Sequence, residues 1–270
     1  MSYNNPQQMA QIAINAGKKK ATLPLRSILI LGFLGGAFIA LGFLFYIRVT
    51  AGLPPEWGTL NNLIGGLVFP LGLILTVVAG AELLTGNMMA VSMAALAKKV
   101  TVKQLTINWI LIAVTNLIGS VFVAYVFGHL LGLTETGVFL DKTIAAANSK
   151  VDASFIESFI SAIGCNWLVA LAIWMSYSAE DTTGKIVGLF LPITAFIAIG
   201  FQHVVANMFI IPAGIFAGAL TWGDYIMNFI PVFLGNAVGG GILVGCLYYG
   251  AFGRSEKQPA KEVQSLKKSS

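Results

Sequence analysis

The sequence predicts an all-α integral membrane protein of six transmembrane helices, the second and fifth of them broken in the middle. Three observations predict it. Apolar residues fill 57% of the 270 positions and charged residues only 10%, with a mean hydropathy of +0.82; a soluble domain carries roughly 25% charged residues. The apolar residues fall into six runs, each near the roughly 20 residues a helix needs to cross a bilayer. Two runs are too long for one straight helix and carry polar groups at mid-span. The first reads Ala81-Glu82-Leu83-Leu84-Thr85-Gly86-Asn87-Met88, and the second, 120 positions on, reads Gly200-Phe201-Gln202-His203-Val204-Val205-Ala206-Asn207-Met208.

In order, the spans are about 27–49, 61–97 with its break, 107–131, 153–177, 186–219 with its break, and 226–250. They divide the chain into an N-terminal segment (1–25), a six-span transmembrane domain (26–252, with repeats over about 26–131 and 152–250) and a tail (253–270). In the first segment, Met9, Ile12, Ala13 and Ala16 recur at helical spacing and predict a short amphipathic helix on the cytoplasmic face. The first 20 residues are polar and end in Lys18-Lys19-Lys20 with no cleavage site, so insertion through the chain's own spans is expected. The tail is Lys/Ser-rich and is predicted to be disordered.

Charge sets the orientation. The net charge of +5 could suggest a nucleic-acid partner, but the basic residues lie at span ends, where membrane topology puts them. With both termini in the cytoplasm, only Arg48, Lys142 and Lys150 of the 16 basic residues fall outside, a strong positive-inside bias. Cys165 and Cys246 lie within apolar spans and read as small packing residues, not as a disulfide or metal pair.

A shift of 120 superposes Asn87 on Asn207, Met88 on Met208, Asn108 on Asn228, Asn116 on Asn236 and Gly119 on Gly239, while Pro70 meets Pro192 at a shift of 122. The first and fourth spans show no match. Three spans per repeat is an odd number, so the halves must insert in opposite senses: an inverted repeat, common in transporters. Irregular backbone at membrane depth is tolerated only where protein buries it or a cavity wets it.

A half-helix starting at mid-membrane offers N–H groups and a positive dipole end, which favour a small anion. Glu82 is the one acidic residue within the membrane core, fewer than a cation pathway would carry. His203 is the leading candidate, because an ionisable group in a span is functional by default and imidazole titrates near neutral pH. A weak-acid anion protonated there could cross apolar constrictions as the neutral acid. Thr85 reads as a ligand contact, with capping of its own helix end as the alternative. Asn87 and Asn207 are expected to satisfy the broken backbone and Glu82 to tie down the first break. His129 reads as interfacial. Lys150 reads either as an ordinary interfacial lysine or as the positive charge of an anion vestibule.

These residues closely resemble the formate/nitrite transporter family, which includes hydrosulfide channels, over about residues 17–252. The run Gly80 to Asn87, the run Asn166 to Ser178, the run Gly200 to Met208 and the run Gly235 to Gly241 carry the resemblance. It implies an aquaporin-like fold and a homopentamer in the cell membrane, with a separate pore in each protomer. On that resemblance His203 matches the central pore histidine and Thr85 the threonine facing it. Leu83 and Phe196 match constriction positions, as does Phe69 with Leu73 on the other side. Lys150 matches the outer vestibule lysine, Asn166 and Asn236 match asparagines near the pathway, and Lys20 matches an inner basic position. Two residues depart from many formate channels: Gln202 replaces a glutamate, and Leu84 an aromatic. The implied cargo is a small monovalent anion, most of all formate, with hydrosulfide or nitrite as alternatives. A neutral-solute pore of the aquaporin kind is a second reading. A membrane enzyme is a third, disfavoured because no second ionisable group, metal-ligand set or cofactor motif accompanies His203.

Overall fold

The computed structural model describes residues 3–253, so the predicted disordered tail, apart from Gly253, lies outside the described residues. The described chain is helical almost throughout. Helix α1 (Pro6–Ala21) precedes six helices long and apolar enough to cross a membrane: α2 (Leu25–Thr50), α3 (Thr59–Gly80), α5 (Val102–Leu130), α7 (Phe155–Ser176), α8 (Thr182–Ile199) and α10 (Trp222–Gly253). Two shorter apolar helices, α4 (Leu84–Leu96) and α9 (Val204–Phe216), resume after interruptions at 81–83 and 200–203. A further helix that no apolar run in the sequence announces, α6 (Val138–Val151), sits between the third and fourth spans.

Local signals explain where the helices start and stop. Capping boxes open α1 (Asn5 with Gln8), α5 (Thr101 with Gln104), α7 (Ser154 with Glu157) and α10 (Thr221 with Asp224). Each pairs two backbone N–H groups that the helix itself leaves unbonded. Helix α3 ends at Gly80 (φ 87°) and α8 is followed by Gly200 (φ 88°), a left-handed conformation that glycine adopts without steric cost. The chain then runs extended for a few residues before the next helix begins.

Close helix contact is built on small residues. A Cβ on Gly119 would stand 1.9 Å from the Phe33 carbonyl oxygen, and one on Gly239 would stand 2.3 Å from that of Ile163. Phe33 and Ile163 are 130 positions apart, whereas the glycines are 120 apart. The first and fourth spans therefore do make equivalent contacts, at a shift that a comparison at 120 cannot detect.

Helix α1 is amphipathic, as expected, but its apolar side is seated on protein. Met9, Ala10, Ala13, Ile14 and Gly17 are buried, while Ile12 and Ala16 of the predicted stripe are half-exposed. A Cβ on Gly17 would fall 1.9 Å from the Ala90 carbonyl oxygen, so α1 lies directly on α4. The stripe is rotated because the partner is a neighbouring helix rather than a lipid surface. Large apolar side chains on the outer helices face outward, including Ile110, Val114 and Ile118 of α5 and Val187 and Leu191 of α8.

Candidate functional site

The two interruptions are held by equivalent hydrogen bonds from asparagines 120 positions apart. At the first, the Leu84 N–H donates to Asn116 Oδ1 (2.9 Å), and Asn116 Nδ2 donates to the carbonyls of Glu82 (2.9 Å) and Gly32 (2.7 Å). At the second, the Val204 N–H donates to Asn236 Oδ1 (2.9 Å), and Asn236 Nδ2 donates to the carbonyls of Gln202 (3.1 Å) and Ala162 (2.7 Å). One buried amide thus satisfies two backbone groups that broke from the helical ladder and ties them to a carbonyl of a neighbouring, unbroken helix. The sequence reading gave this task to Asn87 and Asn207; the structure gives it to Asn116 and Asn236. Asn87 and Asn207 instead bond side chains: Asn87 Nδ2 to Glu82 Oε2 (2.8 Å) and Asn108 Oδ1 (3.0 Å), Asn207 Nδ2 to Gln202 Oε1 (2.7 Å) and Asn228 Oδ1 (2.9 Å).

His203 and Thr85 bring the two interruptions together. His203 Nε2 lies 3.0 Å from Thr85 Oγ1, and the Ala206 N–H donates to His203 Nδ1 (3.1 Å). These partners assign the neutral ring's proton to Nε2, since Nδ1 accepts, so Nε2–H donates to the threonine. His203 is 2% exposed and Thr85 fully buried. The imidazole doubles as the cap of α9. A second proton on Nδ1 would displace the Ala206 N–H, so the charged ring would cost the helix its cap.

A row of cavities passes this pair. One, of about 360 Å³, is lined by Lys150, Lys142, Phe196, His203 and Asn207. Another, of about 340 Å³, is lined by Lys20, Lys19, Glu82, Leu83 and Asn87. Between them is a chamber of about 10 Å³ walled by Phe69, Leu73, Leu83, Phe196, Ile193 and His203. That is scarcely room for one water molecule. Phe196 and His203 border both the Lys150 cavity and the chamber, and Leu83 borders both the chamber and the Lys20 cavity. The four constriction residues expected from sequence therefore meet around one chamber. Phe69 packs edge-on to Phe196, with centroids 5.6 Å apart.

Asn166 and Asn236 line none of these three cavities. Asn166 Nδ2 donates to the Asn236 carbonyl (2.7 Å) and the Thr85 carbonyl (3.3 Å), behind the threonine. The half-helix ends are also less open to an anion than the sequence suggested, because the N–H groups of Leu84, Val204 and Ala206 are already bonded within the protein. The positive charge facing the cavities comes from lysines. Lys150 stands in the last turn of α6 with Nζ 3.5 Å from the Gly200 carbonyl. Its low-dielectric surroundings lower its pKa from the ordinary lysine value. His129 forms a 2.6 Å pair with Glu135, away from the cavities. Phe43 was not foreseen; it packs against Phe69, lines the Lys150 cavity, and carries no signal in a span that reads as plain lipid-facing helix.

Six membrane-length helices around a lysine-flanked, apolar constriction define a multi-pass membrane transport protein of the channel class. The chain belongs to the formate/nitrite transporter family, whose sequence model matches residues 7–250. It is 60% identical over 266 residues to the uncharacterized transporter YrhG of Bacillus subtilis (strain 168), covering 98% of this chain and 100% of that one. It is 55% identical over 252 residues to the formate channel BtFdhC of Bacillus thuringiensis, covering 93% and 97%. A solved pentameric formate channel with formate bound superposes with a TM-score of 0.74 at 33% identity, covering 87% of this chain and 99% of that one.

Proposed function

We propose that this protein is a channel for small monovalent weak-acid anions, formate foremost, in which His203 transiently protonates the anion, which crosses the central constriction as the neutral acid. The observation that carries the proposal is the position of His203: a titratable ring, hydrogen-bonded to Thr85, on the wall of an apolar chamber with a lysine-bearing cavity on either side. An anion is drawn into such a cavity by the lysine field. The chamber, lined by Phe69, Leu73, Leu83 and Phe196, offers a charge no hydration and admits the neutral acid far more readily. A second proton on the ring, drawn from the water of a flanking cavity, displaces the Ala206 N–H from Nδ1, so the charged ring is poised to pass a proton to the anion and return to its neutral form.

In this reading the site residues divide by task. His203 and Thr85 touch the permeating species. Lys150, on the outer side, gathers it. Leu83, Phe196, Phe69 and Leu73 exclude its charged form. Asn166 and Asn236 hold the backbone behind the pair, and Glu82, Gln202, Asn87 and Asn207 brace the breaks. The two halves are an inverted repeat of aquaporin-like design with broken second and fifth helices, a reading supported by the recurrence of the bracing bonds at a fixed offset. The protein sits in the cell membrane with both termini in the cytoplasm. It assembles as a homopentamer with a pore in each protomer, its outward apolar side chains facing lipid or the next subunit. The formate channel names and the pentameric neighbour support the choice of formate and of five subunits.

The test is stopped-flow formate flux into proteoliposomes at two pH values, wild type beside His203→Phe, with hydrosulfide and nitrite as competitors. The expected result is saturable flux that the substitution abolishes at both pH values, with formate the strongest competitor for its own passage. Flux no faster than through empty liposomes sinks the channel reading. Flux that the substitution leaves unchanged reduces His203 to a packing residue.

A further inference from the structure

The asparagine bonds that brace the two breaks match, but the networks treat their lysines differently. At the first break Lys20 Nζ forms a 2.8 Å ion pair with Glu82 Oε1, and the Lys20 carbonyl accepts from Asn108 Nδ2 (3.1 Å). At the second, the Lys150 carbonyl accepts from Asn228 Nδ2 (2.7 Å) and also from Gln202 Nε2 (3.1 Å). Gln202 occupies the place of Glu82 in the network: its Oε1 accepts from Asn207 just as Glu82 Oε2 accepts from Asn87. Being uncharged, it bonds the lysine's backbone instead of its ammonium. Among the described residues no carboxylate forms an ion pair with Lys150. The Lys150 cavity is therefore lined by two ammonium groups, Lys142 and Lys150, and no acid, whereas the Lys20 cavity holds Lys19 and a Lys20 already neutralised by Glu82.

We propose that Gln202 is a specificity-determining residue that leaves the Lys150 ammonium, held only by the Gly200 carbonyl, without a carboxylate partner and available to the permeating anion, so that the channel binds its anion more tightly from the Lys150 side than from the Lys20 side. The proposal rests on the channel reading above. It concerns neither the histidine nor the identity of the anion, only the sidedness of its capture. An unpaired charge about 4 Å from an anion in a water-filled cavity is worth about fivefold in affinity. Net flux still stops at equal concentrations of the neutral acid, so maximal rate and half-saturating concentration must change together on each side.

Right-side-out and inside-out vesicles from the same cells separate the two faces. Initial rates of formate influx are measured in each as a function of concentration. The expected wild-type result is a half-saturating concentration about fivefold lower in one polarity. Gln202→Glu gives the second break the carboxylate of the first, so it should raise that lower value to match the other and leave the opposite face unchanged. Lys150→Met removes the charge without touching the bracing network and should give the same one-sided rise. Equal values on the two faces of the wild type overturn the proposal. So does a Gln202→Glu variant that shifts both faces alike or neither while Lys150→Met shifts one. Absence of wild-type flux in either polarity overturns the channel reading itself, and this inference with it.

Discussion

The first and second helix breaks share a skeleton and differ in chemistry. Asn87 and Asn207, Asn108 and Asn228, and Asn116 and Asn236 make the same bonds at an offset of 120, and Gly80 and Gly200 turn the chain with nearly identical φ. Leu83 stands where the second half has His203, Thr85 where it has Val205, and Glu82 where it has Gln202. The asparagines that agree between the halves brace the breaks, although Asn87 and Asn207 also border the flanking cavities. Of the positions that disagree, Leu83, His203 and Glu82 border the cavities or the central chamber, and Thr85 pairs with His203. A symmetrical scaffold thus carries an asymmetrical site, and internal comparison sorts bracing residues from working ones without reference to any other protein.

The comparison breaks most sharply at the histidine. His203→Leu gives the second break the leucine of the first, and formate flux should fall by roughly a hundredfold or more, the ordinary contribution of a positioned proton donor. Stopped-flow rates on protein of unchanged helicity are the check, and a fall of less than about threefold would mean the difference between the breaks is not what moves the anion. The next effect concerns what the breaks share. Asn116→Ala and Asn236→Ala each strand one buried N–H and one buried carbonyl, at a cost of about 3 kcal/mol. Thermal unfolding in detergent should show matching drops for the two variants. A large drop for one and none for the other would show that the bracing is not equivalent.

The smallest effect lies at the far ends of the half-helices. Helix α9 is followed by Gly218 at φ 77°, but the equivalent position after α4 is Lys98 at φ 58°, the only described non-glycine residue with positive φ. A side chain there costs roughly 1 kcal/mol, so Lys98→Gly should stabilise the protein by up to about that amount. An unchanged or lowered unfolding temperature would show that the lysine makes a compensating contact.

The sequence made much of this site legible. Scarce charge, run lengths and polar groups at mid-span locate the helices to within a few residues, since each is a property of a short window. The asparagine pairs were visible because one shift relates them. Their division of labour was not, because Asn116 and Asn236 reach carbonyls 84 and 74 positions away, Gly32 and Ala162, which no local pattern connects. Phe43 and α6 escaped notice for the same reason: one is an aromatic in an apolar helix, the other a helix in a connecting segment, and neither announces the cavity it borders.

By itself, then, the sequence determined the class of protein, its spans and the two places where they fail, because hydropathy and helix punctuation act over neighbouring residues. Tertiary structure decided which amides close the breaks, that α1 rests on α4, that the first and fourth spans correspond at a shift of 130, and that Lys20 is paired while Lys150 is not. Each of these depends on groups distant along the chain meeting within about 3 Å, the range over which a hydrogen bond or ion pair forms.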